Sequence, residues 1–144
     1  MVTGFTAGAF DLLHAGHVIF LRRCKELCND YGTGELTVGL HIDPSRERPL
    51  KNKPIQSVFE RFVQLSNLAS VDKIIPYETE QDLDYIISTF RFTKRFLGSE
   101  YQEAFNAYKV GSQKTCMAVR TEIVFIPRFH EFSSTQLRER IKNG

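Results

Sequence analysis

The sequence predicts one α/β domain with a Rossmann-like, doubly wound sheet of five mostly parallel strands and helices on both faces. Apolar, β-branched segments of strand length alternate with segments of helical apolar spacing along the chain. The chain has 144 residues, which suits a single hydrophobic core. No internal repeat, low-complexity tract or linker interrupts it, so residues 1–144 are predicted to form one domain.

Five segments have the composition of buried parallel strands, and turn residues follow most of them. A glycine-containing turn follows the first, and Pro76 and Pro127 are predicted to terminate the third and the fifth. The predicted strands are residues 2–8, 36–42, 71–75, 95–98 and 122–126. Loops after parallel strands meet at one edge of the sheet, so the loops after Gly8, Asp43, Gly98 and Pro127 are expected to form one site.

Helical spacing of apolar residues appears between these strands. The predicted helices are residues 14–29, 57–69, 80–90 and 134–142, and residues 100–117 are expected to hold one or two short helices. The expected inward-facing side chains are Val18, Leu21, Cys24, Lys25, Cys28, Val58, Phe62, Leu65, Leu68, Ala69, Leu83, Ile86, Ile87, Leu137 and Ile141. The long polar loop at residues 43–54 is predicted to be functional.

Charge and cysteine content exclude several classes of function. Nineteen basic and seventeen acidic side chains leave a net charge of +2, too balanced to predict bulk attraction to nucleic acid or membrane. The chain begins without a basic segment and a long apolar run, so we expect a cytoplasmic protein with no signal peptide or membrane span. The spacing of Cys24 and Cys28 does not fit a zinc site, and three reduced, partly buried thiols are predicted, with Cys116 the third.

The turn from the first strand into the first helix has the residues of an anion site. His14 and His17 are three apart, so on a helix they share one face and can reach the same ligand. Gly16 has no Cβ, which leaves room for phosphates near the helix start, where free N–H groups attract anions. Two imidazoles at an α-phosphorus would stabilise the charge of a pentavalent transition state. The alternative is that both histidines only cap the helix and pack in the core.

A second polar segment starts the last helix. Ser133, Ser134 and Thr135 lie where a loop enters that helix, so their hydroxyl and backbone N–H groups are suited to β- and γ-phosphates. The alternative is that Ser133 or Ser134 serves only as the helix N-cap.

Three segments resemble the cytidylyltransferase-like family of HxGH nucleotidyltransferases, and especially bacterial glycerol-3-phosphate cytidylyltransferases. They are GAFDLLHAGH at residues 8–17, VDKIIP at residues 71–76 and FIPRFHEFSSTQLRERI at residues 125–141. They occur in the family's order and span nearly the whole chain. The resemblance implies transfer of CMP from CTP to a phosphorylated small molecule, with glycerol 3-phosphate as the candidate acceptor, Mg²⁺ bound with the nucleotide phosphates, and a homodimer.

The resemblance also implies roles for individual residues. Catalytic roles fall on His14, His17, Lys53 and Arg128, and acceptor binding on Lys51, Lys53 and Asp43. Asp11 is expected either to orient the turn or to assist the magnesium ion. The nucleotide-binding residues are Gly8, Ala9, Phe10, Asp11, Gly16, Arg61, Ser133, Ser134 and Thr135.

Several residues depart from the family pattern and leave the substrate open. Ala9 replaces a common threonine, and Ala69 stands where many cytidylyltransferases carry arginine. Adenylyltransferases that act on sugar phosphates resemble this chain at Ala69. Residues 98–101 and 129–132 also differ from the usual signatures. The alternatives are therefore an adenylyltransferase that uses ATP and a sugar phosphate, and a nucleotide-binding protein without turnover.

Overall fold

The computed structural model describes residues 1–103, 112–128 and 130–144 and contains one five-stranded sheet. Its spatial order is β3-β2-β1-β4-β5, and every strand pair is parallel. The strands are β1 (Thr3–Gly8), β2 (Glu35–His41), β3 (Lys73–Tyr77), β4 (Lys94–Gly98) and β5 (Glu122–Ile126). The order reverses direction between β1 and β4, which makes the carboxyl end of β1 the topological switch point where such folds bind ligands.

Helices cover both faces of this sheet, as the sequence predicts. They are α1 (Ala15–Cys28), α2 (Val58–Ser66), α3 (Glu80–Phe90), α4 (Ser112–Ala118) and α5 (Ser134–Asn143), with short 3-10 turns at Pro44–Arg46 and Ser99–Tyr101. Ser57 and Thr79 begin α2 and α3 with reciprocal capping boxes to Glu60 and Asp82. The predicted segment at residues 100–117 contains α4, and its residues 104–111 lie outside the described residues.

Two apolar clusters pack against the two faces of the sheet. One joins α1 and α2 to Leu36, Val38, Leu40 and Phe96. The other joins α3 and α4 to Phe5 and Tyr77. Cys24, Cys28 and Cys116 are free, buried thiols in these clusters. Since each face is covered, the central strands β1 and β2 are mostly buried and lack the polar alternation of a solvated sheet.

The third strand does not end before Pro76, as predicted, but continues through it to Tyr77. Pro76 pairs with Leu40 in the ladder to β2. The N–H of Ile42 donates to the Tyr77 carbonyl, so Tyr77 faces β2 and the adjacent Pro76 nitrogen faces the other side. That side is the open edge of the sheet, where a missing N–H costs no ladder hydrogen bond.

Two helices are rotated relative to the predicted inward faces. On α2, Arg61 is buried with Leu65, whereas Phe62 is 38% exposed and Ala69, beyond the helix, is exposed as well. On α5, Ile141 is 68% exposed, so the prediction that it faces inward is wrong. Apolar spacing alone does not predict which side of these two helices is buried, because buried polar contacts orient both helices.

No helix within residues 1–103, 112–128 and 130–144 has both the length and the apolar composition needed to cross a bilayer.

Candidate active site

The turn after β1 is held in a strained conformation by one carboxylate. Phe10 and Leu12, on either side of Asp11, have positive φ angles of 49° and 51°. Non-glycine residues at such angles cost free energy and persist only where surrounding contacts hold them. The Asp11 carboxylate accepts the backbone N–H groups of Ile55 and Gln56 at 2.8 and 2.9 Å, and the Gln56 side chain accepts the Leu12 N–H at 2.8 Å. These bonds tie the turn to the residues that precede α2.

The two histidines of the turn cap α1 reciprocally. The His14 Nδ1 atom accepts the Gly16 N–H at 3.0 Å, and the His17 Nδ1 atom accepts the His14 N–H at 3.3 Å. Their rings stack with centroids 3.9 Å apart. Because Nδ1 is the acceptor in both rings, each neutral imidazole carries its proton on Nε2. Both histidines therefore cap the helix, as the alternative interpretation predicted. This role leaves one N–H donor on each ring for a ligand.

Both imidazoles are neutral near physiological pH. Burial lowers the pKa of His17 to about 4, with a further lowering from His14. Burial also lowers the pKa of His14, helped by the nearby charges of His130 and Arg128. The pair therefore offers neutral N–H donors, and neither ring is a fixed cation before a ligand binds.

Gly16 serves a different purpose from the predicted one. A Cβ at this position would lie 2.8 Å from the His14 ring and 2.9 Å from the His130 ring. The missing side chain therefore makes room for two imidazoles, where we had expected room for a nucleotide. His130, whose Nδ1 accepts the Phe132 N–H at 3.1 Å, is a third imidazole next to the pair that the sequence interpretation did not include.

The start of α5 meets the signature turn directly. The Ser134 hydroxyl donates to the Asp11 carbonyl at 3.2 Å, and Arg138, one turn later, forms an ion pair with the Asp11 carboxylate at 3.0 Å. Ser133 is the N-cap and accepts the Gln136 N–H at 3.0 Å, which is the alternative given for it above. Thr135 is exposed. Two segments 123 residues apart in the chain are thus in direct contact.

The Asp11 carboxylate is held by donors of the protein itself. It is 6% exposed and already binds two backbone N–H groups and Arg138. The structure favours the turn-orienting role over the magnesium role. No group of three or more His, Cys, Asp or Glu side chains in the described part of the chain could hold a metal.

Arg61 lies behind the site and not within it. Its guanidinium is 2% exposed and donates to the carbonyl groups of Ala9, His41, Ile42, Gln56 and Ser57 at 2.7 to 3.3 Å. This placement corrects the predicted phosphate contact, because the guanidinium is occupied by protein carbonyls. Arg61 joins the ends of β1 and β2 to α2 and so positions the loops that line the site.

The basic loop after β2 is only partly free to meet a ligand. Asp43 caps the 3-10 turn by accepting the Ser45 N–H at 3.0 Å, and its contact with the acceptor stays a prediction. Arg48 forms an ion pair with Glu80 at 3.3 Å. Lys51 and Lys53 are exposed, and neither forms an ion pair among the described residues. Arg128 is exposed as well, donates to the Phe132 carbonyl and lies close enough to His14 to lower its pKa.

A cavity of about 490 Å³ opens at the carboxyl ends of the strands and gathers much of the predicted site. A smaller cavity at the amino ends, about 350 Å³, includes Lys73 and Glu35, which pair with each other at 2.9 Å. The predicted residues on the larger cavity are Gly8, Ala9, Phe10, Asp11, His17, Lys51 and Ser134. The predicted residues that do not line it are His14, Gly16, Asp43, Lys53, Arg61, Arg128, Ser133 and Thr135.

The cavity also has walls that the sequence interpretation missed. They come mainly from the face of the sheet under α3 and α4, and the polar ones include His41, Tyr77, Arg95, Ser112, Gln113 and Arg138. One signal was available for Arg95, because it is a charged residue in an otherwise apolar predicted strand. Arg138 lies four residues after Ser134, one helical turn away, which was a weaker signal.

Comparisons with known proteins agree with this arrangement. The family model described as cytidylyltransferase-like matches residues 5–140. A solved lipopolysaccharide core biosynthesis protein from Thermoplasma volcanium has the same fold, with a TM-score of 0.64, 24% identity, and coverage of 92% of this chain and 99% of its own.

Two curated relatives carry the name Bifunctional protein HldE. The protein of Paramagnetospirillum magneticum is 39% identical over 100 residues, which is 68% of this chain and 19% of the relative. That of Bradyrhizobium diazoefficiens is 30% identical over 143 residues, 98% of this chain and 27% of the relative. The chain thus matches only about a fifth to a quarter of their length. Together with the family match and the turn geometry, this similarity shows that the chain belongs to the cytidylyltransferase-like family and is a nucleotidyltransferase.

Proposed function

We propose that the chain transfers a nucleoside monophosphate from a nucleoside triphosphate to a phosphorylated sugar or a related phosphorylated small molecule, and releases pyrophosphate. The observation that carries this proposal is the hydrogen bond between Ser134 and Asp11, which brings the hydroxyl-bearing helix start against the histidine turn. Both segments can then contact one triphosphate.

In the proposed reaction, an acceptor phosphate oxygen attacks the α-phosphorus of the nucleotide. The new P–O bond forms as the bond from the α-phosphorus to the bridging oxygen breaks, and that electron pair leaves with pyrophosphate. Electrostatic stabilisation and positioning provide most of the rate in such a transfer, so no covalent enzyme intermediate is needed.

The Nε2–H groups of His14 and His17 would donate to oxygens of the reacting phosphates. Because both rings are neutral before binding, the hydrogen bonds strengthen as negative charge develops in the transition state. The exposed cations would also neutralise phosphate charge, Lys51 on the cavity and Lys53 and Arg128 outside its lining. Mg²⁺ is proposed to arrive with the nucleotide phosphates, since the Asp11 carboxylate is already occupied.

The nucleotide and the acceptor have two candidate pairings. Ala69 is exposed and offers no cation where many cytidylyltransferases have arginine, which favours ATP with a sugar phosphate. The resemblance of residues 8–17 to glycerol-3-phosphate cytidylyltransferases favours CTP with glycerol 3-phosphate. A cytoplasmic location and a homodimer remain predictions.

A panel of four nucleoside triphosphates against hexose and heptose 1-phosphates and glycerol 3-phosphate tests the proposal through pyrophosphate release. We expect release with one nucleotide and one acceptor class, and none when either is omitted. Binding of ATP or CTP without pyrophosphate release for any acceptor would instead indicate a nucleotide-binding protein without turnover.

A further inference from the structure

A second polar feature of the cavity has no part in the proposed chemistry. Arg95, the second residue of β4, is 5% exposed and lines the cavity wall. Its guanidinium lies over the Phe5 ring at 5.2 Å and makes one long hydrogen bond, from Nη1 to the Ser112 hydroxyl at 3.4 Å. The Nε atom is buried and has no hydrogen-bond partner among the described residues.

This buried cation also lacks a carboxylate partner. No carboxylate of the described residues lies within 4.0 Å of it, and residues 104–111 and 129 contain neither Asp nor Glu. Two acidic side chains act on it only from a longer distance. One of them, Glu80, pairs with Arg48 at 3.3 Å, and the other, Asp84, accepts the Thr115 hydroxyl at 2.8 Å.

Another polar group without a partner shares the same wall. The Gln113 side-chain oxygen is buried and has no hydrogen-bond partner in the described part of the chain. Tyr77, which is 5% exposed, completes this wall. Buried polar groups in folded proteins are normally paired, so the two unpaired atoms of Arg95 and Gln113 on one cavity indicate that a ligand supplies the partners.

We propose that this wall, the inner pocket formed by Tyr77, Arg95, Ser112 and Gln113, binds the phosphate group of the acceptor, with Arg95 as its main ligand. The inference rests on the proposed function, because it assigns part of the same cavity to one of its substrates. A guanidinium can donate two parallel hydrogen bonds to phosphate oxygens, and a buried one selects a charged acceptor over a neutral one. His17 lines the same cavity, so acceptor and nucleotide share one space.

Inorganic phosphate is the probe for the first test, with melting temperature and calorimetric binding as the measurements. Arg95→Met should weaken phosphate binding by about tenfold or more, as expected for the loss of a charge-assisted bidentate contact. Arg22→Met, which removes an exposed arginine of α1, is the control and should keep wild-type phosphate affinity. Without phosphate, Arg95→Met should melt no lower than the wild type, because it removes a buried charge that has no ion-pair partner.

The outcomes separate a binding role from a structural one. Unchanged phosphate affinity in Arg95→Met, an equal loss of affinity in Arg22→Met, or no phosphate binding by the wild type would each overturn the proposal. So would a lower melting temperature or failure of Arg95→Met to fold, since these would make Arg95 a structural residue. Gln113→Leu gives an independent check: the unpaired Gln113 oxygen can accept from the protonated oxygen of inorganic phosphate, and we expect the phosphate affinity of this variant to fall by about threefold or more.

Acceptor kinetics then distinguish this proposal from the proposed function. Arg95→Met should raise the acceptor KM by about tenfold and change nucleotide affinity by less than about twofold. Pyrophosphate release by Arg95→Met with the acceptor KM of the wild type would contradict the role of the inner pocket and leave the proposed function intact. Arg95-dependent phosphate binding without pyrophosphate release for any pair of substrates would contradict the proposed function alone.

Discussion

Asp11 and Arg95 are both buried charged side chains on the wall of the same cavity, with 6% and 5% of their surfaces exposed. Asp11 binds two backbone N–H groups and Arg138, so each carboxylate oxygen has a partner. Arg95 has a single long hydrogen bond and a buried nitrogen with no partner among the described residues. The satisfied charge holds loops together, whereas the unsatisfied charge is available to a ligand.

The same contrast separates other residues of the site. Arg61 has all its hydrogen bonds inside the protein and only positions the loops. His14 and His17 use one ring nitrogen each for the helix cap and keep the other for a ligand. Substitutions of satisfied groups should therefore reduce stability, and substitutions of unsatisfied groups should reduce binding or turnover.

Loss of the Asp11 carboxylate should have the largest effect on stability. Asp11→Ala leaves Arg138 and two backbone N–H groups without their partner, and we expect the free energy of unfolding to fall by about 3–5 kcal/mol. Asp30→Ala is the matched control, because Asp30 pairs with the N-terminal amine at the surface at 3.9 Å and should change stability by less than about 1 kcal/mol. Urea denaturation measures both. An equal loss of stability in Asp11→Ala and Asp30→Ala would contradict the structural role of Asp11.

Acid should destabilise the protein through the buried histidines. The pKa of His17 is about 4 in the folded chain against 6.5 unfolded, so the unfolded state binds more protons between these values. Stability is therefore full above pH 6.5 and falls as the pH drops to about 4, by up to ~3 kcal/mol from this residue. His14 and His41, whose pKa values are also lowered, act in the same direction.

The control for this pH dependence is His17→Gln. Glutamine at the third helical position can keep the capping box but does not titrate. The free energy of unfolding, measured by denaturation across this pH range, should depend less steeply on pH in the variant than in the wild type. An identical slope would show that His17 is not the residue that titrates.

Two adjacent serines should differ in turnover and not in stability. Ser133→Ala removes the N-cap and Ser134→Ala removes the hydrogen bond to Asp11, each at a cost of about 1 kcal/mol. Only Ser134 lines the cavity and joins the start of α5 to the histidine turn, so loss of this contact should misplace the phosphate-binding groups and lower turnover by about tenfold in Ser134→Ala alone. Steady-state pyrophosphate release compares the two, and equal turnover would remove Ser134 from the phosphate site.

The smallest effect is expected at the basic loop. Lys51 lines the cavity and Lys53 does not, so Lys51→Ala should raise the nucleotide or acceptor KM by about threefold and Lys53→Ala by less. Steady-state kinetics at low salt measure the KM of both variants and of the wild type. If both variants behave as the wild type, the loop is ordinary solvated surface.

Much of the fold follows from local sequence patterns. The predicted bounds of the helix at residues 80–90 and the strand at residues 122–126 match α3 and β5. Strand apolarity and helical spacing are local properties, and parallel strands with intervening helices admit few arrangements. Pro76 and Phe62 were misplaced because an edge strand tolerates proline and because Arg61 orients α2, and both are tertiary effects.

The site was less predictable than the fold. The histidine turn and Ser134 stand out by residue type, but the partners of Asp11 come from two distant segments of the chain. The burial of Arg61 and of Arg95 likewise depends on neighbours that become close only after folding. A charged residue in an apolar strand signals an unusual environment, yet only the structure shows that Arg95 has no carboxylate partner among the residues it describes.

Pyrophosphate release by wild type and His17→Ala, with the best nucleotide and acceptor and near neutral pH, tests the central claim most directly. We predict that the variant turns over about 100-fold more slowly or worse, because it loses the Nε2–H donor to the reacting phosphate. Loss of the hydrogen bond from the His14 N–H should cost about 1 kcal/mol, so the variant should stay folded and melt only a few degrees below the wild type. Wild-type turnover in the folded His17→Ala variant would contradict the account.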